Sequence, residues 1–424
     1  MVGNLNFRSF SCSFRFFSNP IDDHDSNLRS QSFSQDSFNS SFSSRSSLPP
    51  SITTIIPPST TTIHHDCIFT IKPNSSHILS LILTNNHLFS GSSNSQIHQW
   101  PVNGNANEDI VSVRCKSAVK CLQILNDHTI ISAHQDHKLR IWRVNKLGIK
   151  FVTSLPTLTD RLTKGLFAKN YVAIRRHKKL TWIHHSDAVS SLAVSCDGSL
   201  IYSGSWDRSF KVWRSSDFKC LESVSNAHDD AINAIVLSGD GFVYTGSADK
   251  KIKIWRFNGV ARKHELIDSL THHKSTVNAL AYDENLSVLI SGACSGVMIA
   301  SERNKNFSGG GDEGHMVVVG ALLGHRKAIL CVRILGELVV SGSADKTVRL
   351  WRRTVGKSYS CLGVLEGHSG PVKCLAVAEE SSGDGDSDGR EYMVYSGGLD
   401  SDIRVWKVWV PLAFDKGLMA NLDG

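Results

Sequence analysis

The stretch YSGSWDRSFKVW, residues 202–213, is one copy of a phrase that recurs along this 424-residue chain. The phrase has a small residue, Gly, a second small residue, a variable residue and Asp, then alternating apolar residues and a closing Trp. Alternation between Gly and Asp turns is typical of short β-strands joined by tight turns. The close copies are YTGSADKKIKIW (244–255), VSGSADKTVRLW (340–351) and YSGGLDSDIRVW (395–406).

Three weaker copies extend the series to seven. They are FSGSSNSQIHQW (89–100), ISAHQDHKLRIW (131–142) and ISGACSGVMIAS (290–301). In every copy a Ser or Thr lies ten residues before the Trp position. Such internal periodicity predicts a repeat fold in which similar units pack side by side. Five copies are preceded by a His four residues before a branched apolar residue, namely His185, His228, His273, His325 and His368.

These phrases resemble WD repeats, with the His of the family's Gly-His element and the Trp of its closing element. The resemblance covers about residues 66–408. It implies an all-β chain, a seven-bladed WD-repeat β-propeller in which each unit forms one four-stranded blade. It also implies that the early stretch CIFTIK (67–72) completes the last blade and joins the two ends of the ring.

The resemblance further implies a buried hydrogen-bond chain within a blade, from the Trp indole through a hydroxyl to His and Asp. Three blades depart from it: Cys115 stands at the second His position, and Asn94 replaces the first Asp, with Asn74 near the expected His. The fifth blade has Ser295 for Asp and Ser301 for Trp, so we expect it to be the loosest. The four complete sets are His185, Ser203, Asp207 and Trp213; His228, Thr245, Asp249 and Trp255; His325, Ser341, Asp345 and Trp351; and His368, Ser396, Asp400 and Trp406.

Composition defines the segments around the repeats. Residues 1–64 contain seventeen serines and no strand or helix period, which predicts a disordered tail. Phosphorylation of this tail, or its use as a transit segment, stays open. The propeller is predicted over 65–411, with a basic insertion at about 156–183, an acidic Gly/Ser loop at about 379–390 and a C-terminal tail over 412–424.

Several function classes are disfavoured by the same residues. The net charge of +7 is mild, and no apolar run is long enough to span a membrane. The ten cysteines include no Cys-x-x-Cys pair and are interpreted as reduced thiols. The loop GDGDSDG (383–389) resembles the start of a calcium loop but has Tyr395 where a Glu ligand belongs. We therefore expect no metal, cofactor or small-molecule substrate, and the recurring His–Asp–Ser sets are interpreted as scaffolding in a protein that is not an enzyme.

A partner surface is predicted where the insertion and one turn meet. By WD-repeat geometry the insertion lies on the top face. It contains several basic residues but only one acidic residue, Asp160. Trp206, just before Asp207, is a candidate aromatic anchor, although packing against the insertion explains it equally well. Leu399 precedes Asp400 in the same way. The candidate partner-binding residues are Trp206, Arg175, Arg176, Lys178, Lys179 and Leu399.

The insertion also narrows the family. The stretch NYVAIRRHKKLTWIHHSDAVSSLAVS (170–195) resembles the JINGUBANG-type WD-repeat proteins of plants. That resemblance implies a non-enzymatic regulator in cytoplasm and nucleus, working through protein partners that include transcription factors. Two alternatives stay open: a substrate receptor of a cullin-type ubiquitin ligase, and nucleic-acid binding through the basic insertion. Neither a membrane nor a small molecule is expected as partner.

Overall fold

Four-stranded antiparallel sheets make up most of the structure. The computed structural model describes residues 63–411, apart from 74–75, 85–86, 103–110, 146–147, 176–177, 304–314, 355–357 and 381–388. Blade 1 contains β2 (Ile78–Leu83), β3 (His87–Ser92), β4 (Gln96–Pro101) and β5 (Val111–Arg114). Blade 2 contains β6 (Val119–Asn126), β7 (Thr129–His134), β8 (Leu139–Asn145) and β9 (Gly148–Leu155). Blade 3 contains β12 (Val189–Val194), β13 (Leu200–Ser205), β14 (Phe210–Arg214) and β15 (Cys220–Val224).

The remaining blades repeat this order. Blade 4 contains β16 (Ile232–Leu237), β17 (Phe242–Ser247), β18 (Ile252–Asn258) and β19 (Lys263–Leu270). Blade 5 contains β20 (Val277–Asp283), β21 (Val288–Ala293), β22 (Met298–Arg303) and β23 (Met316–Leu322). Blade 6 contains β24 (Ile329–Leu335), β25 (Leu338–Ser343), β26 (Val348–Arg353) and β27 (Tyr359–Leu365). Blade 7 contains β28 (Val372–Glu380), β29 (Gly389–Gly398), β30 (Ile403–Pro411) and β1 (His64–Ile71).

The first strand of each blade lies towards the centre of the ring. These strands are largely apolar, and β16 and β20 are buried at every residue. Each contacts the first strand of the next blade, and β28 contacts β2, so the circle is complete. A sheet system closed in this way leaves no long exposed edge. The predicted seven-bladed WD-repeat β-propeller is confirmed.

The chain closes its own ring in blade 7. Strand β1 pairs antiparallel with β30, and Cys67 lies opposite Trp406. The pairing predicted for the stretch 67–72 is present, and the strand begins earlier, at His64.

The Gly of the repeated phrase permits close packing between blades. A Cβ atom at Gly204 would lie 2.7 Å from Ser191 Oγ and 2.9 Å from Ile232 Cγ2 of blade 4. At Gly246 the same atom would lie 2.9 Å from Val277 Cγ1 of blade 5. The second strand of one blade therefore contacts the first strand of the next without a side chain between them.

The insertion between blades 2 and 3 has its own secondary structure. It contains α1 (Leu158–Gly165), a 3-10 turn (Ala168–Asn170) and a hairpin of β10 (Tyr171–Arg175) and β11 (Lys178–Thr181). In blade 7, β28 extends through Glu380 and β29 begins at Gly389, so both strands reach into the predicted acidic loop. The segments 1–62, 381–388 and 412–424, which hold both predicted tails and most of that loop, lie outside the described residues.

Candidate functional site

Four blades contain the hydrogen-bond chain that the resemblance implied. The His Nδ1–H donates to the Asp carboxylate over 2.8–3.0 Å, and the His Nε2 accepts from the Ser or Thr hydroxyl over 2.8–2.9 Å. The Trp Nε1–H donates to the same hydroxyl oxygen over 2.8–2.9 Å. The structure therefore brings together all four members of each predicted set. The sets are His185, Ser203, Asp207 and Trp213 in blade 3; His228, Thr245, Asp249 and Trp255 in blade 4; His325, Ser341, Asp345 and Trp351 in blade 6; and His368, Ser396, Asp400 and Trp406 in blade 7.

The hydroxyl at the centre of each chain is sealed from solvent. All four hydroxyl residues are fully buried, and the indoles that donate to them are at most 6% exposed. The donor and acceptor pairs are Trp213 with Ser203, Trp255 with Thr245, Trp351 with Ser341, and Trp406 with Ser396. Because water cannot reach these groups, the His and Trp of each blade supply the short hydrogen bonds of its buried hydroxyl.

Each Asp of these sets also holds the turn between the second and third strands. In blade 3, Asp207 Oδ2 accepts from the Ser186 backbone N–H at 2.9 Å, and Oδ1 accepts from the Ser209 N–H at 3.0 Å. Arg208, between them in the turn, adopts a φ of 69°. The carboxylate thus ties the His segment, the turn and the imidazole to one point.

The electrostatics of the site keeps the Asp of each His–Asp pair ionised near neutral pH. Burial alone would oppose ionisation, but the hydrogen bond from the His185 imidazole holds the pKa of Asp207 well below its usual range. In blade 4, desolvation is likewise outweighed by the hydrogen bond from His228, which lowers the pKa of Asp249 to about 2. The carboxylates are therefore acceptors for the imidazole N–H groups at physiological pH.

The His–Asp–Ser sets are not arranged for nucleophilic catalysis. The Ser203 hydroxyl is fully buried, and its oxygen already accepts from Trp213. A nucleophile requires access to substrate and a free attack direction, which this position lacks. Equivalent packing in four blades makes the sets structural elements of the ring.

Blade 2 lacks the upstream His, and a different His bonds the buried hydroxyl in its place, which the sequence did not reveal. Cys115 is buried, and desolvation raises the pKa of its thiol to about 12. The ring nitrogen Nε2 of His134 instead lies 2.6 Å from Ser132 Oγ, which also accepts from Trp142 at 2.6 Å. The sequence signal for this bond was the spacing, because residues two apart on a strand share a face.

The Asp of blade 2 has a different partner from its equivalents. Asp136 forms a two-point ion pair with Arg140, which holds the pKa of Asp136 low against the effect of burial. His134 uses its Nδ1–H for the Ser117 carbonyl at 3.0 Å. In this blade the hydroxyl that accepts from the Trp is therefore bound by a His of its own strand, while the carboxylate forms its ion pair with Arg140.

Blade 5 keeps only part of the chain. His273 is buried and lies 2.7 Å from Ser291 Oγ through Nε2, and burial lowers its pKa to about 4. Ser295 is exposed, and Ser301, at the Trp position, is buried. That this blade is looser than the others stays a prediction.

Blade 1 also departs from the pattern. Trp100 donates to Ser90 Oγ at 3.0 Å, as in the complete sets. Asn94, at the Asp position, accepts from Ser92 Oγ at 2.5 Å and so still shapes the turn. Asn74, near the expected His, lies outside the described residues.

The insertion lies on the face formed by the Asp-containing turns. Strand β9 ends, and β12 begins, beside the turns between second and third strands, since Leu155 pairs with Leu139 and Val189 with Ser205. The connection 156–188 therefore leaves and rejoins the ring on one face, the top face. The predicted location of the insertion follows directly from this strand pairing.

The predicted partner-binding residues differ in how far they are exposed to solvent. Trp206 is only 8% exposed and clusters with Ala188 and Ala231, with the Lys120 ammonium 5.0 Å from its ring centroid. The small side chains of two neighbouring segments leave a space that the indole fills, and a contact of Trp206 with a partner stays a prediction. Leu399 is half-buried in the equivalent turn of blade 7, and Lys179 is exposed.

The other basic candidates are only partly described. Arg175 and Lys178 lie at the ends of β10 and β11, and Arg176 lies outside the described residues. The backbone places the first two on the top-face hairpin.

The opposite face has a cavity of about 810 Å³ at the centre of the ring. It is lined by turns between first and second strands of several blades, including Asp197, Asp240 and Asp283. Arg303 forms an ion pair with Asp240 at its wall. The charged residues of this lining are mostly acidic, and they lie beside apolar side chains such as Leu237 and Ile334.

The described part of the chain offers neither a metal cluster nor a membrane helix. No group of three His, Cys, Asp or Glu side chains there is placed to hold a metal ion. Among the same residues, no helix has the length and apolar character needed to cross a membrane.

Comparison with known proteins identifies the repeats. The family described as WD domain, G-beta repeat matches residues 177–214, 218–256, 264–299, 316–352 and 359–407. The five matches cover the first three strands of blades 3 to 7, and from the second match onward each also includes the outer strand of the preceding blade. No catalytic family is indicated.

Three curated relatives show similarity over short segments. Pre-mRNA-processing factor 19 homolog 2 of Arabidopsis thaliana is 39% identical over 62 residues, which are 14% of this chain and 12% of that protein. WD repeat-containing protein pop2 of Schizosaccharomyces pombe is 32% identical over 22% of this chain and 13% of its own length. Cell division control protein 4 of Candida albicans is 30% identical over 24% and 13%, respectively. The chain thus matches about an eighth of the length of these relatives.

Proposed function

Since this chain is a seven-bladed WD-repeat β-propeller, we propose that it works as a non-enzymatic scaffold or regulator that binds other proteins through its top face. WD-repeat propellers generally bind proteins, and no catalytic family is indicated for this chain. The observation that carries the proposal is the ordered insertion on the top face. It adds exposed apolar and basic side chains to a ring whose own His, Asp and hydroxyl groups are occupied internally.

The composition of the insertion suits protein recognition. Arg161, Lys169 and Lys179 are exposed, whereas the single acid, Asp160, is buried. A surface of one charge sign attracts partners of the opposite sign and steers their approach. Acidic surfaces or segments of other proteins are the partners that this charge favours.

The resemblance of 170–195 to the JINGUBANG-type proteins supports a proposal about the cellular setting. We propose that the partners are signalling or transcription-regulatory proteins of a plant cell, met in the cytoplasm and nucleus. The short matched segments in the curated relatives support WD-repeat membership and bear on no partner.

The test is proximity labelling in plant cells with the full chain. The test variant carries Arg161→Glu, Lys169→Glu and Lys179→Glu on the insertion. The control carries Arg214→Glu and Lys219→Glu in a turn on the opposite face, where these side chains are 50% and 62% exposed.

A reproducible set of proteins labelled by the wild type and control, but not by the insertion variant, supports the proposal. Labelling that is equal for all three chains contradicts a top-face scaffold. Circular dichroism and melting of the purified chains establish that all three are folded.

A further inference from the structure

The helix in the insertion exposes its apolar side. Leu158, Leu162 and Leu166 are 69%, 63% and 80% exposed, and Phe167 is 56% exposed. Leucines four residues apart lie on one side of a helix, so they form a continuous stripe. We call Leu158, Leu162, Leu166 and Phe167 the leucine stripe. A surface helix ordinarily turns such a stripe towards the core, and here it faces away from the ring.

Polar contacts hold the helix in place of apolar burial. The Thr157 hydroxyl accepts from the Asp160 N–H at 3.2 Å at the N-terminus. At the other end, Asn170 Nδ2 donates to the Lys164 carbonyl at 2.9 Å and the Tyr171 hydroxyl to the Gly165 carbonyl at 3.0 Å. These bonds satisfy backbone groups that a helix end leaves open.

The same segment is tied to the propeller. Lys211 of blade 3 is buried and donates through Nζ to the Trp182 carbonyl at 2.6 Å. The Trp182 N–H donates to the Asn170 carbonyl at 2.9 Å, and Asn170 in turn binds the end of α1. A helix of eight residues is marginal alone, so this chain of contacts makes the leucine stripe a fixed surface of the ring.

Cations that form no ion pair among the described residues flank the stripe, and the one acid of the helix, Asp160, is buried. Arg161 and Lys169 are exposed, and neither forms an ion pair with a carboxylate of the described residues. The Lys169 ammonium lies 5.8 Å from the Phe167 ring, which positions it beside the stripe. An apolar centre with a cationic rim complements a segment with apolar residues between carboxylates.

We propose that the leucine stripe and its flanking cations dock an acidic, apolar peptide segment of another protein. The inference rests on the proposed scaffold function and specifies the chemistry of the partner. A membrane is the less suitable occupant, because three leucines and one phenylalanine on two turns of helix provide little area for insertion. The Lys169 ammonium also lies against an aromatic ring instead of extending towards a plane of headgroups.

The experiment selects a random-peptide display library on the immobilised full chain. We expect enriched peptides that combine Leu, Ile or Phe with Asp or Glu. Their affinity falls at least about tenfold for the Leu162→Ser/Leu166→Ser chain, since about 1.4 kcal/mol of lost apolar contact is tenfold. Arg161→Glu/Lys169→Glu weakens the same peptides and makes binding less dependent on salt.

The control chain carries Val260→Ser and Leu266→Ser, which are exposed apolar residues of blade 4 at 96% and 46%. It should bind the peptides as the wild type does. Peptides that bind wild type and the leucine variant equally overturn the inference. If the proximity labelling still depends on the insertion in that case, the scaffold function stands and only the proposed occupant is wrong.

Two further arms test other occupants. If Asp22, Asp23, Asp25 and Asp36→Asn in the full chain increase peptide affinity, the chain's own tail occupies the stripe and the proposed source is wrong. If vesicles of phosphatidylcholine and phosphatidylserine bind the wild type but not the leucine variant, and no peptide family is enriched, the surface is a membrane contact and the inference is overturned.

Discussion

Restoring the missing carboxylate of blade 5 by Ser295→Asp should raise the pKa of His273. In blade 3 the equivalent Asp207 accepts from the His185 Nδ1–H at 3.0 Å, from the next backbone N–H at 2.9 Å and from a turn N–H at 3.0 Å. His273 already has its Nε2 on Ser291, so its imidazole is held as in the complete sets. The new carboxylate should therefore reach His273 Nδ1.

The magnitude follows from those contacts. A hydrogen bond to a charged group contributes about 1.5–3 kcal/mol, less the cost of desolvating the carboxylate, which leaves about 2 kcal/mol in net coupling. That coupling corresponds to a rise of about 1.5 units in the pKa of His273. Burial now lowers this pKa from 6.5 to about 4. The unfolded chain therefore binds more protons between these values, and the wild type loses stability as pH falls through that window.

The assay is an NMR titration of the imidazole signals, with His273 assigned by its loss in His273→Gln. Urea unfolding at pH values between 4 and 6.5 should show a smaller loss of stability for Ser295→Asp than for wild type. Ser295→Asn is the matched control, because it offers an acceptor without the charge and should move the pKa far less. An unchanged His273 pKa, together with an unchanged pH slope, refutes the equivalence of the two positions.

Three other predictions concern individual blades. Asp249→Ala leaves the His228 N–H without its acceptor and should lower the free energy of unfolding in urea by about 2–3 kcal/mol at pH 7. Because the pKa of Asp249 is lowered to about 2, the stabilisation by this carboxylate is complete above about pH 4 and fades as pH falls towards 2. The difference in stability between wild type and variant should therefore shrink near pH 2. His134→Phe removes the acceptor of the buried hydroxyl in blade 2 and should cost about 1–3 kcal/mol, whereas an unchanged unfolding midpoint would show that this bond is dispensable. Cys115, buried with a thiol pKa raised to about 12, should react with a thiol reagent at pH 8 far more slowly than exposed Cys67, and equal rates by mass spectrometry would contradict its burial.

The fold was predictable because its determinants are local and repeated. The phrase around Gly204, Asp207 and Trp213 specifies a close contact, a turn and a buried indole within twelve residues, and it recurs with the same spacing. Seven copies then leave few arrangements other than a closed ring. The pairing of β1 with β30 joins residues more than three hundred positions apart, and only the family resemblance indicated it.

The parts that sequence reasoning missed depend on neighbours from different segments. Trp206 is buried because Ala188 and Ala231, each from another loop, leave room for it. His134 replaces an upstream His through a hydrogen bond on its own strand, where the repeat has a small residue. Helix α1 was missed because its leucines are exposed instead of contributing to the core, although the spacing of Leu158 and Leu162 after Thr157 was a usable signal.

The pairing of β1 with β30 determines when the ring can close during synthesis of the chain. When the ribosome has produced the first six blades, β1 is already available but its partner, Ile403–Pro411, has yet to emerge. Until then the nascent chain has two unpaired sheet edges, which are the surfaces on which strands of different chains associate. A stop codon shortly before Ile403 would therefore leave an open, aggregation-prone chain, in contrast to an open-ended repeat array that tolerates loss of a terminal unit.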